Sequence, residues 1–205
     1  MNVPAIAQKT FDLLKNETLA LEIIQLVLKK LNKMHEPIKR ARFIHRLVDE
    51  ASAQSFSSST VKELSPCKKG CSACCHTQVS VTQDEAHLLA QKVSEGVEID
   101  LQRLLSQASA KNTATDYYAM SFEQRKCVFL DEEGACSVYA DRPSVCRTNV
   151  VLGSADQCDT KDSIKPTRLV KTQEADLVIY ASYLNSENSG TLSYMLAKAL
   201  GLLNS

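Results

Sequence analysis

Eight cysteines in a 205-residue chain all lie between Cys67 and Cys158, with none in the first 66 positions or the last 47. Free cysteine packs readily as a small hydrophobe, but eight such bystanders, four of them within nine positions, poorly account for this clustering. Clustered thiols tie a fold together either by crosslinks or by chelation. The N-terminus shows no basic segment followed by an apolar run, so no export signal is read there. The greasiest stretch, residues 19–28, is interrupted by Glu22 and Gln25 and is too short to span a bilayer. The expectation is a reducing cytoplasm and no membrane, where such a cluster favours metal or redox chemistry over disulfides.

The first group reads Cys67-Lys-Lys-Gly-Cys71-Ser-Ala-Cys74-Cys75. Thiolates two or three residues apart in a tight turn converge on one ion or one cluster face; Gly70 permits the sharp path and Pro66 narrows the entry. Side chains of neighbours such as Cys74 and Cys75 usually diverge. Either one is a packed bystander, or the pair straddles two sites or a polynuclear centre. The second group is Cys127-x8-Cys136-x9-Cys146-x11-Cys158. Residues 127–130 and 135–139 read as a β-hairpin around Asp131-Glu-Glu-Gly134. With that four-residue loop Phe129 opposes Cys136 and Cys127 opposes Val138, which puts Cys127 and Cys136 on one face; an odd loop would separate them.

Cys71-Ser-Ala-Cys74 also has the spacing of a thiol–disulfide redox motif, without the strand–helix–strand context that motif uses. His76 follows Cys75 and is more often a hydrogen-bond partner of sulfur than a ligand. His35, His45 and His87 lie in helical stretches and carry no assigned chemistry. Lys68, Lys69, Lys126, Arg142 and Arg147 lie within a few residues of a cysteine, where a cation lowers thiol pKa and donates to sulfur. Arg142 and Arg147 are assigned that supporting role. Pro143 sets the turn that presents Cys146, and Tyr139 reads as an ordinary core residue, with packing against the site as the alternative.

Around this middle the chain reads as helical. Ile24, Val27, Leu28, Leu31 and Met34 keep helical spacing up to Pro37, and Ala41, Ile44, Val48 and Ala51 share the next face. Residues 52–66 are Ser-rich and read as a connector. Thr82 and Glu85 form a capping box before the stripe Ala86, Leu89, Ala90 and Val93, which Gly96 ends. Leu101, Leu104, Leu105 and Ala108 repeat the pattern. Residues 141–147 read as a short helical turn with Pro143 in its first turn. Further helices are expected from about Thr172 to Leu184 and, after a turn over 185–190, along Leu192, Met195, Leu196, Ala199, Leu200 and Leu203. The expected fold is mainly α with a small β-hairpin, an irregular cysteine-rich metal-binding core flanked by N- and C-terminal helices. Residues 1–60 form the helical extension and 61–205 the cysteine-cluster domain.

Lys+Arg and Asp+Glu both number 24, so no excess positive charge suits a nucleic-acid backbone. Basic residues concentrate locally instead, with Lys29, Lys30, Lys33, Lys39, Arg40, Arg42 and Arg46 against Glu36 alone. No aromatics are interleaved for base stacking. The run reads as a solvated helix face or as a surface for an unidentified protein partner.

Cys67-x3-Cys71-x2-Cys74-Cys75 resembles the signature of the CxxCxxCC family, described as a putative zinc- or iron-chelating domain. The run from Cys136 through Tyr139, Arg142 and Pro143 to Cys146 and Arg147 is similar to that family's C-x-[IV]-Y-x-x-R-P-x-x-C-R, and Cys127 and Cys158 fit its eight-cysteine layout. The first gap departs from the pattern, with three residues instead of two. The resemblance implies metal or iron–sulfur binding in a bacterial cytoplasm, with Cys67, Cys71, Cys74, Cys75, Cys127, Cys136, Cys146 and Cys158 as ligands and no settled reaction. A cubane's separated iron corners accept ligands from a C-x3-C-x2-C loop plus one distant cysteine, so an iron–sulfur cluster is favoured over Zn2+, although eight thiolates also suffice for two zinc sites of four sulfurs each. The spacing of Cys67, Cys71 and Cys74 is weakly similar to the three-ligand loop of radical-SAM enzymes, but the strand–helix alternation of their barrel is missing.

Overall fold

A computed structural model of the chain describes residues 3–68, 70–110, 114–158, 160 and 172–203. Lys69 lies outside the described residues. The helices are α1 (Ala5–Leu14), α2 (Thr18–Leu31), α3 (Pro37–Ser57), α4 (Ser59–Leu64), α5 (Gln83–Ser94), α6 (Leu101–Ala108), α7 (Ala114–Ala119), α8 (Ser144–Thr148), α9 (Gln173–Asn185) and α10 (Leu192–Ala199). Two short strands, β1 (Ser80–Thr82) and β2 (Ser189–Thr191), form the one named sheet among the described residues. No helix among the described residues is long and apolar enough to cross a membrane. The expectation of a mainly helical chain with a small β element holds.

One apolar cluster is built around α9, whose residues from Ala175 to Tyr183 are all buried. A helix buried on every side belongs at the centre of a bundle, and α1, α2 and α3 pack around it. Ile24, Val27 and Leu31 of α2 and Ile44 and Val48 of α3 face it, as their spacing predicts. Phe11 stacks on Tyr180 with ring centroids 4.2 Å apart, and the Thr10 hydroxyl donates to Asp176 at 3.0 Å. Pro37 opens α3 as its first residue, where its missing N–H is not needed. The Ser-rich stretch expected as a connector is instead helical through Leu64. Ser58 ends α3 and caps α4, its hydroxyl accepting from the Val61 N–H at 3.3 Å.

The second cluster joins α5, α6 and α10 with Val128, Phe129 and Val138. Leu89, Leu104 and Leu196 are fully buried there, each contributing about 1.5–3 kcal/mol. β1 and β2 are antiparallel, with Val81 opposite Gly190. Because β1 runs into α5 and β2 into α10, this pair sets the two helix starts side by side. The sequence reading gave 185–190 as a turn; two three-residue strands so far apart in the chain leave no local periodicity to detect.

The hairpin expected over 127–139 is reduced to one bridge between Leu130 and Cys136. The Ser137 N–H donates to the Phe129 carbonyl at 2.8 Å, so the register is one residue from the expected pairing. Asp131 causes the shift. Its carboxylate accepts the Ala135 N–H at 2.6 Å while its own N–H donates to the Ala135 carbonyl at 2.9 Å, closing a five-residue loop. Gly134 turns within it at φ +75°. Cys127 sits outside the bridge, in a turn where its carbonyl accepts the Leu130 N–H at 3.0 Å. Strand alternation therefore does not govern where its sulfur points.

Candidate metal centre

Four separate segments bring the cysteines together. The first leaves α4 through Ser65, whose hydroxyl accepts the Cys67 N–H at 3.2 Å. The chain then turns at Gly70, φ +88°, with the Cys71 N–H on the Lys68 carbonyl at 2.9 Å. A 3-10 turn, Ala73–His76, carries the vicinal pair. The second segment docks directly on the first, since the Cys127 N–H donates to the Cys75 carbonyl at 2.8 Å. The loop after it also touches the first: a Cβ built on Gly134 would lie 3.5 Å from Ser72 Oγ.

The third segment is α8, which presents Cys146. Pro143 precedes it, and the Cys146 N–H donates back to the Pro143 carbonyl at 2.9 Å. The fourth ends in the 3-10 turn Ala155–Cys158, which packs against Ala73–His76. Arg125 anchors the chain just beyond it. This arginine is 2% exposed, and its guanidinium donates to both the hydroxyl and the carbonyl of Thr160, each at 2.9 Å. It lies 5.2 Å from the Tyr118 ring and 5.6 Å from the Phe122 ring. No carboxylate pairs with it among the described residues.

All eight cysteines line one cavity of about 420 Å³, and all eight are free thiols. Among the described residues, no three His, Cys, Asp or Glu side chains are drawn in to ligating distance. The sulfurs interact strongly all the same. A hydrogen bond from Cys75 holds the Cys74 thiol well below its ordinary pKa, helped by Asn149 and by the field of Arg142, while the same bond and burial push Cys75 up. The vicinal side chains thus meet rather than diverge. Burial raises Cys127 to about 11 and Cys158 to about 12, and it raises Cys136 and Cys146 as well. The like-charge contributions share one hub, since Cys74 raises Cys75, Cys127, Cys136, Cys146 and Cys158 alike. Cys158 is raised by Cys74, Cys67 and Cys71. Cys75 is raised by Cys74, Cys127 and Cys146, and Cys146 by Cys74, Cys127 and Cys136.

Among the described residues, the cavity wall holds Lys62, Lys68, Arg142 and Arg147 and no carboxylate. Arg142 lies over the Tyr139 ring at 3.8 Å, its field lowers Cys74, Cys136 and Cys146, and its buried Nε has no hydrogen-bond partner among the described residues. Tyr139 is half exposed, not core. Arg147 turns its guanidinium the other way, to Asp49 at 2.7 Å, to the Arg142 carbonyl at 3.0 Å and to the Ala140 carbonyl. Lys126 and His76 are absent from the wall; His76 is buried and stacked on Phe122 at 3.9 Å.

Behind α8 lies a buried polar network that the sequence reading did not find. Glu85 Oε1 accepts the N–H and the hydroxyl of Ser144, both at 2.7 Å, and His45 Nε2 at 3.2 Å. Arg147 Nη2 reaches His45 Nδ1 at 3.1 Å. A guanidinium only donates, so Nδ1 accepts and Nε2 carries the hydrogen. Burial pushes the Glu85 carboxyl up, but the His45, Ser144 and Thr82 hydrogen bonds outweigh it and hold the group at about 2. Its side chain thus completes the expected capping box and also pins the N-terminus of α8.

A family model described as "CxxCxxCC: Putative zinc- or iron-chelating domain" matches residues 66–174, just over half of the chain. No curated protein and no solved structure matches it.

Proposed function

The chain belongs to the CxxCxxCC family, and we propose that it binds metal through two four-sulfur sets that meet at the vicinal pair. The first set is Cys67, Cys71, Cys74 and Cys158; the second is Cys75, Cys127, Cys136 and Cys146. One observation carries this reading: cysteines from four separate segments line a single cavity, in which Cys158 feels the Cys67, Cys71 and Cys74 sulfurs, Cys75, Cys127, Cys136 and Cys146 are linked among themselves, and Cys74 acts on both groups. The donor chemistry fits, because soft thiolates select zinc or iron–sulfur centres over hard cations. Arg142, with a buried donor to offer, suits the negative charge that four thiolates leave on either centre.

Three sulfurs from one C-x3-C-x2-C loop plus the distant Cys158 suit a cubane's spaced iron corners, so an iron–sulfur cluster is the favoured occupant of the first set. Cys158 beside that loop supplies a fourth sulfur, which speaks against an open-iron, radical-SAM-like centre. The sulfurs line the cavity without closing on a point, so binding draws four segments inward and metal affinity becomes folding energy. Anaerobic purification followed by a visible spectrum and analysis for iron, sulfide and zinc tests the reading. Brown protein with iron and sulfide supports the cluster, and colourless protein with two zinc per chain supports a pair of four-sulfur zinc sites. The single substitutions C71S and C136S separate the sets. Each should remove the metal of its own set, and a chain that holds no metal in any form would end the proposal.

A further inference from the structure

Tyr183, near the C-terminus of α9, is 0% exposed, and its hydroxyl has no hydrogen-bond partner among the described residues. Phenylalanine would fill the same space without the cost of an unpaired buried hydroxyl, so the group needs an acceptor in some state of the protein. Two acceptors lie near enough for Tyr183 to feel their charge: the Glu85 carboxylate and the sulfur of Cys146 on α8, against which α9 packs. Glu85 is already filled. Its Oε1 takes the N–H and hydroxyl of Ser144 and Nε2 of His45, and its Oε2 takes the N–H and hydroxyl of Thr82. Those donors use up the about four lone-pair directions of a carboxylate.

Cys146 is the acceptor that remains. Elsewhere in its set, the Cys127 sulfur accepts the Phe129 N–H and the Cys136 sulfur accepts the Val138 N–H, each offered by the residue two places on. Cys146 sits inside α8, where N–H groups turn to the carbonyls of the preceding turn. Burial and charge act on its sulfur, but no such N–H does. A neutral thiol accepts weakly, whereas a metal-bound thiolate is a strong, charge-assisted acceptor. We infer, resting on the metal reading of the second set, that the Tyr183 hydroxyl donates to the Cys146 sulfur in the metal-loaded protein. Tyr183 is then a positioning residue, and it makes the central helix of the N-terminal bundle a support for one ligand. It lies beyond the matched residues 66–174, so this support comes from outside the family domain.

Tyr183→Phe removes the hydroxyl and keeps the ring. In the otherwise wild-type chain it should lower the melting temperature of the metal-loaded protein and leave that of the metal-free protein unchanged or higher, because the hydroxyl is unpaired there. A second measurement reads which set is affected. C71S leaves the second set and C136S the first, and the metal of each chain, purified anaerobically, is challenged with EDTA. C71S/Y183F should hold its metal about tenfold less tightly than C71S, while C136S/Y183F should match C136S. Equal retention by C71S and C71S/Y183F, or equal weakening of both sets, would overturn the inference. A metal-free Y183F chain that melts below the metal-free wild type would do the same, since it marks a purely structural hydroxyl. A wild-type chain that holds no metal would end the metal reading itself, and the role of Tyr183 with it.

Discussion

Glu85 does two jobs with one carboxylate, closing the capping box of α5 and holding α8 through Ser144. Its pKa, held at about 2 against an ordinary 4.5, contributes about 3 kcal/mol at neutral pH. The pKa is depressed on folding, so this stability is present above the ordinary value and is lost as pH falls toward 2. Denaturant unfolding should therefore show the wild type losing about 3 kcal/mol more than Glu85→Gln between about pH 6 and pH 2. Equal acid losses in the two proteins would mean that the charge contributes nothing. Arg125 is the second decisive side chain. Lysine keeps the charge but cannot span the Thr160 hydroxyl and carbonyl, so Arg125→Lys should cost about 2–4 kcal/mol and reduce metal retention by freeing Cys158. Unchanged melting and metal content would show that the Thr160 clamp is dispensable. Neither role was legible in the chain. Glu85 reads as a local cap, while the partners that bury it, His45 and Ser144, stand 40 and 59 positions away.

Elements whose signals are local were read correctly. The capping box at Thr82, the stripes of α2 and α3 and the placement of α10 follow from spacing and cap chemistry alone. The Thr82 hydroxyl accepts the Glu85 N–H at 3.3 Å, so Thr82→Ala should lower the melting stability by about 1 kcal/mol. A larger loss would point to damage in the adjoining strand pair. Elements set by distant or side-chain-specific contacts were misread. β1 and β2 exist only because each completes the other, and the 131–135 loop is five residues long because Asp131 captures the Ala135 N–H. The Ser-rich stretch misled because serine favours loops by composition, whereas here one serine starts a helix. For the cysteines, residue type and spacing were enough to mark the segments. The meeting of Cys74 with Cys75 needed the 3-10 turn that spacing does not reveal.

On the scale of the whole molecule, the cysteine segments are bordered by two apolar clusters built mainly from aliphatic side chains rather than sulfur. Removing bound metal with a chelator should therefore raise amide exchange in residues 65–79 and 127–158 first. α1, α2, α3 and α9 should keep their protection. Simultaneous loss of protection everywhere would show that metal and both clusters form one cooperative unit. The placement of α9 at the heart of the N-terminal bundle has a further consequence. α1 to α3 leave the ribosome long before their central helix is made, because α9 begins at Gln173, after the last cysteine. At ordinary translation rates the delay is on the order of ten seconds. Every thiol is synthesised within that interval, while the bundle beside it still lacks its axis, so the nascent chain presents all eight thiols to cellular metal before it can finish folding.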